Sequence, residues 1–123
     1  MVYRPGRRNK AESAFEEMLP ENDGWFLTKR GWPDYLIVSP DGKLSLVEVK
    51  NGHGAISGLY HQLKPEQIFV LALLQRKGFD VNLSDGKRGL VRFDAERALR
   101  KRGSPKTEPR RQQFREMLDR IKF

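Results

Sequence analysis

The chain has 123 residues, of which 37% are hydrophobic and 33% charged, and its formal net charge is +8. That length suggests one domain with a single modest core, which dimerisation would help to complete. Cysteine is absent, which excludes disulfides, zinc–thiolate sites and thiol catalysis, and no apolar run approaches the ~20 residues of a membrane span.

The N-terminal stretch MVYRPGRRNKAES is basic, with no apolar segment after it. It does not read as a secretory signal, so a cytoplasmic protein is expected. Residues 1–12 carry four basic groups and one acid, and residues 94–123 carry ten and five. The stretch between them has ten of each. A neutral middle with two basic ends suggests attraction to a polyanion, and Arg forks suit phosphate.

Taken in order, AESAFEEML is amphipathic, with Ala11, Ala14, Phe15, Met18 and Leu19 on one helical face. Pro20 and the ENDG that follows end that helix. Residues 25–29, 35–39 and 44–50 read as strands. Between the last two lies SPDGK, where Pro40 suits the first corner of a type I turn and Gly42 the left-handed residue after it. A three-residue hairpin loop of this kind pairs Ser39 with Lys43. Paired positions then sum to 82, and Asp34 and Glu48 sum to 82 as well. The turn therefore predicts two carboxylates opposite each other on one face of the sheet, with Lys50 on the same face. Like charges in direct opposition are unfavourable unless something positive joins them, so the pair looks built for a cation.

NGHGAISGLYHQL, 51–63, holds three glycines and reads as a mobile loop. KPEQIFVLALLQRKG reads as a deeply packed helix, with Pro65 at its first position and Gly78 at its end. Residues 79–83 and 89–93 read as strands. DAERALRKR is a short helix capped by Asp94, GSPKTEP a linker, and RRQQFREMLDRIKF a final helix with Phe114, Met117, Leu118 and Ile121 as its stripe. The expectation is one α/β domain over 1–123. It has a small mixed sheet flanked by helices, a core at about 10–93 and a basic helical extension over 94–123.

Asp and Glu oxygens are hard ligands suited to Mg²⁺ or Mn²⁺. Such an ion lowers the pKa of bound water and polarises a phosphoryl oxygen. A nearby lysine orients that water or stabilises developing charge. Asp34, Glu48 and Lys50 provide these parts for phosphodiester hydrolysis. Glu-x-Lys alone, or Pro-Asp alone, is also what an ordinary strand with a wet face would carry.

Pro-Asp followed after thirteen residues by EVK is similar to the PD-(D/E)xK nuclease superfamily. More narrowly, GWPDYLIV, LSLVEVK and LKPEQIFVLALLQRKGFDVNL resemble the VRR-NUC family, through Gly31, Pro33, Asp34, Glu48, Lys50, Gln67 and Gly78. The resemblance covers about residues 11–83. It implies a restriction-endonuclease-like core and a Mg²⁺- or Mn²⁺-dependent DNA endonuclease. It also implies structured DNA substrates such as junctions, flaps or repair intermediates, and often a homodimer. Asp34, Glu48, Lys50 and Gln67 are then catalytic, with Asp34, Glu48 and a first-helix Glu on the metal. Glu12 is preferred to Glu16 because it flanks the apolar face more closely.

The segment from Lys50 to Gln67 is longer than the family's usual spacing, which leaves Gln62 as a second candidate for the site. Arg7, Arg8, Lys10, Lys29, Arg30, Lys101, Arg102, Arg110 and Arg111 are the expected nucleic-acid contacts. The last helix could instead dock on the core or on a second subunit. His53 and His61 have no metal-ligand partners in sequence, His61 having phosphate contact as its alternative, and Trp25 and Trp32 are read as packing residues, with base stacking the alternative for Trp32. The rival readings are a sequence-specific or mobile-element endonuclease of the same superfamily, and a non-catalytic DNA-binding module that keeps the fold.

Overall fold

The computed structural model describes residues 2–3, 9–19, 25–51, 55–87 and 89–121. The chain divides into two compact units, Met1–Arg30 and Gly31–Phe123. The predicted basic extension from residue 94 belongs to the second unit, together with the sheet.

In the first unit, β1 (Val2–Tyr3) pairs in parallel with β2 (Leu27–Thr28). Helix α1 (Lys10–Glu17) opens at Asn9, whose side chain accepts from the Glu12 N–H at 2.7 Å. This satisfies one of the orphan donors of a helix start. The periodicity correctly gives a helix here, yet no residue of α1 is buried, and Phe15 is 51% and Met18 73% exposed.

The second unit is built on a four-stranded mixed sheet in the order β3-β4-β5-β6. Strands β3 (Tyr35–Val38) and β4 (Leu44–Val49) are antiparallel, with Tyr35 opposite Val47 and Val38 opposite Leu44. The hairpin closes through Ser39 N–H to Lys43 O and Gly42 N–H to Ser39 O, both 2.9 Å, with Gly42 at φ 89°. The turn chemistry thus sets the register as expected. Strand β5 (Val81–Ser84) runs parallel to β4, and β6 (Val91–Arg92) antiparallel to β5. The sheet gives every residue of β3 an exposed position but buries all of β5, because β3 is an edge strand and β5 an interior one.

A parallel pair needs a crossover, and α2 (Ile56–His61) and α3 (Pro65–Arg76) supply it. Helix α2 corrects the expectation of a loop over 51–63. Its signal was the spacing of Ile56, Leu59 and Tyr60 rather than the glycines, and Leu59 and Tyr60 are buried. Tyr60 stacks on Phe93 at 6.0 Å and its hydroxyl accepts from the Asp94 N–H at 2.8 Å, which anchors this short helix. Helix α3 buries Ile68, Phe69, Val70, Leu71 and Ala72.

Helix α4 (Ala95–Arg100) is capped by the Asp94 carboxylate, which accepts from Arg97 N–H at 3.0 Å. Helix α5 (Glu108–Arg120) begins two residues before the predicted start, with Pro109 in its first turn. It buries Phe114 and Leu118, and Phe114 stacks on Phe69 of α3 at 4.8 Å. The molecule is therefore a mixed α/β protein with a small four-stranded sheet and flanking helices. Among the described residues no helix is long and apolar enough to cross a membrane.

Candidate metal centre

The register that pairs Tyr35 with Val47 extends one step to Asp34 and Glu48. The Asp34 carboxylate accepts from the backbone N–H of Val49 at 2.9 Å, which fixes it against the end of β4. Glu48 stands opposite Leu83 of β5 and is only 1% exposed. It shares its face of β4 with Leu46 and the front of the core. Asp34, by contrast, is exposed at the sheet's edge. The two acids therefore meet with one in the interior and one open to solvent.

Gln67 completes this corner from α3. Its amide nitrogen donates to Glu48 Oε2 at 2.9 Å, and its amide oxygen accepts from the Lys64 N–H at 2.9 Å. The second bond is the helix-start contact that a Gln three residues after the cap commonly makes. The spacing from Lys64 to Gln67, with Pro65 between, carried that signal in the sequence. Gln67, not Gln62, is the residue bonded to Glu48. Lys50 follows β4, where its N–H donates to Ser84 O at 2.9 Å and continues the ladder.

The other oxygen of the acid, Glu48 Oε1, is buried and has no hydrogen-bond partner among the described residues. Buried polar atoms are rarely left so. Burial first, and then the Asp34 carboxylate, through a proton the two acids can share and through its charge, push the Glu48 carboxyl up to about 7, against a smaller opposing pull from Lys50. This acid thus keeps its proton to a higher pH than an ordinary carboxyl. An ion at the open oxygen would displace that proton and remove the repulsion from Asp34. The donor set fits a small hard cation: an unfilled carboxylate oxygen beside a second, solvent-facing carboxylate. Among the described residues, no group of three or more His, Cys, Asp or Glu side chains is gathered to hold a metal.

Other expected site residues fall as follows. Glu12 belongs to the first unit, where its carboxylate is paired with the ammonium of Lys29. Arg30 lies in the same unit, its N–H donating to Thr28 Oγ1 at 2.9 Å. Lys10 is exposed, and Arg7, Arg8 and His53 lie outside the described residues. His61, Trp25 and Trp32 are exposed, so neither tryptophan is the packing residue expected.

Arg102 is exposed and lines a cleft of about 660 Å³ with Arg76, Arg100 and Arg115, which no residue of the acidic corner borders. Lys101 is partly buried, and burial with the nearby Arg111 and Arg97 charges lowers its pKa. Arg110 and Arg111, expected as phosphate-gripping groups, both make contacts within the protein. Arg110 is paired with Glu66 at 3.1 Å and lies over the Phe114 ring at 4.5 Å. Arg111 is buried and donates to Leu63 O at 3.2 Å. Both guanidiniums are engaged by groups of the protein itself, Arg110 half-buried and Arg111 buried, because α5 docks on α3.

Comparison with protein-family models, curated proteins and solved structures finds no match to this chain.

Proposed function

We propose that the protein is a divalent-metal-dependent DNA endonuclease with a core of the PD-(D/E)xK kind, similar to the VRR-NUC nucleases. The observation that carries this reading is the unpartnered Glu48 Oε1 beside Asp34. A DNA-binding surface has no use for two facing acids, which repel phosphate, and a structural hairpin has no use for an orphaned carboxylate. Asp34 and Glu48 would hold Mg²⁺ or Mn²⁺. When bound, the ion supplies an acidified water and neutralises charge on the phosphoryl group.

The chain's own residues do the rest. Gln67 fixes Glu48 by one oxygen and leaves the other free to bind. Val49 N–H holds Asp34 in the matching position. Lys50 orients the attacking water or stabilises charge that develops on the phosphate. The resemblance that suggests the activity also suggests structured DNA and a homodimer presenting two sites to two strands.

The test is a cleavage panel of duplex, flap, four-way junction and single-stranded DNA, with Mg²⁺, Mn²⁺ or EDTA. Metal-dependent cutting is expected, strongest on a branched substrate. Lys50→Ala should fold and bind DNA but cut about 10²-fold more slowly, since its contribution is made mainly in the transition state. Cutting that is strongest on one duplex sequence would favour the sequence-specific reading. No cutting with either metal on any substrate, despite DNA binding, would leave a non-catalytic module.

A further inference from the structure

We propose that α5 is a positioning element of the acidic corner: through Arg110 and Arg111 it grips the first turn of α3 and so sets the Gln67 amide on Glu48. This deepens the proposed function and rests on it for why the setting of Gln67 matters. The grip itself is a matter of geometry.

Gln67 reaches Glu48 from the N-terminal turn of α3: its amide oxygen is held within that turn by the Lys64 N–H, and its amide nitrogen ties the turn to the sheet through Glu48, both at 2.9 Å. A shift of the turn by about an ångström would break the bond to Glu48. Two residues in a row on α5 hold the turn on either side of Gln67's anchor. Arg111 donates to the carbonyl of Leu63, the residue before Lys64. Arg110 donates to the carboxylate of Glu66, the residue before Gln67. Both ends of this ion pair are largely sheltered, with side chains 22% and 14% exposed. Arg110 is itself held over Phe114, and Phe114 against Phe69 one turn along α3. The contacts form a chain from the core of α5 to the amide that touches Glu48.

Simple docking of α5 does not require this arrangement. Phe114 and Leu118 already supply apolar burial. Arg111 is only 8% exposed and its Nε has no partner among the described residues. A sheltered guanidinium with an unfilled donor costs stability that an apolar side chain would not. The chain also makes room for it: a Cβ on Gly103 would lie 2.6 Å from Arg111 Nε and 2.7 Å from its Cδ. That cost falls where the side chain meets the segment that delivers Gln67.

The test reads Gln67 directly, in the full chain, by the ¹H–¹⁵N resonances of its side-chain amide. Arg111→Met keeps the length and apolar bulk of the side chain and removes the donor. It should move the Gln67 amide signals toward those of a solvent-exposed glutamine. Arg110→Met should move them in the same direction, and serves alone if Arg111→Met does not fold. Leu118→Ala weakens the packing of α5 without touching either arginine, and should lower stability while leaving the Gln67 signals in place. Unmoved signals in the folded arginine variants overturn the proposal, as does an equal movement in Leu118→Ala. A wild-type protein that neither binds Mn²⁺ nor cuts DNA overturns the proposed function instead, and leaves the amide result standing.

Discussion

The sheet carries two acids that sit in opposite circumstances. Asp80, just before β5, accepts from Ser45 Oγ at 2.6 Å and has Lys43 at 3.7 Å. The Ser45 hydrogen bond, first, and then the nearby Asn82 amide and Lys43 charge hold its carboxyl below the usual range. Glu48, at the other end of β4, has Gln67 on one oxygen, no donor to the other among the described residues and a second acid alongside, and its carboxyl is held up to about 7. The same two strands can therefore supply a carboxylate with donors, and do so at one end. At the other end they bring in a competitor. An acid stabilised by its neighbours serves the fold, whereas an acid destabilised by them is a candidate for a functional site.

Substitution should separate the two ends most sharply in activity. Glu48→Gln is expected to lower metal-dependent cleavage roughly 10³-fold, which corresponds to the several kcal/mol an ion contributes to the transition state. Asp80→Asn should leave cleavage unchanged and reduce only stability. Equal losses of activity in single-turnover assays of the two variants would erase the distinction.

The response to pH comes next. The folded chain holds the Glu48 proton up to about 7, whereas an ordinary carboxyl gives it up near 4.5. Folding therefore binds a proton between these values. The stability this provides is complete below the lower value and is lost as pH rises through the upper one. The loss is roughly 3 kcal/mol in the absence of divalent cations. Denaturant melts from pH 4.5 to 8 should show this decline. It should flatten in Glu48→Gln and be reversed by Mn²⁺ above pH 7.

Gly31 offers a smaller break on the acidic side. It sits at φ 85°, and an added Cβ would lie 2.6 Å from the Glu66 carbonyl oxygen and 2.9 Å from Val70 Cγ2. The glycine lets the segment that leads to Asp34 press against the first turn of α3. Gly31→Ala should cost about 2 kcal/mol by denaturant melts, with a loss of Mn²⁺ affinity as Asp34 and Gln67 move apart. At the satisfied end, Ser45→Ala removes one hydrogen bond to Asp80. It should cost about 1 kcal/mol with no change in Mn²⁺ affinity.

The hairpin was legible in the sequence because turn chemistry is local: Pro40 and Gly42 fix the loop, and the loop fixes which residues face each other. The pairing of Asp34 with Glu48 followed from that alone. Helix α3 was legible for the same reason, through Pro65 and a run of apolar residues. Helix α2 was not, because the glycines around it signal a loop, and its stability comes from Tyr60 reaching Phe93 and Asp94, more than thirty residues away. The fate of Arg110 and Arg111 was hidden by the same kind of distance. Their charge reads as a phosphate grip until Glu66 and Leu63 are seen beneath them. The burial of Glu48, the property that makes it unusual, depends on elements that no strand pattern contains.

The most direct test of the acidic corner as a cation site is calorimetric titration of Mn²⁺ into the wild-type protein and into Asp34→Asn and Glu48→Gln, in two buffers of different ionisation enthalpy at pH 6.5. Binding by the wild type with release of part of a proton, and loss of that binding in both variants, is the predicted result. Binding that persists undiminished in Glu48→Gln, or no binding by the wild type, would contradict it.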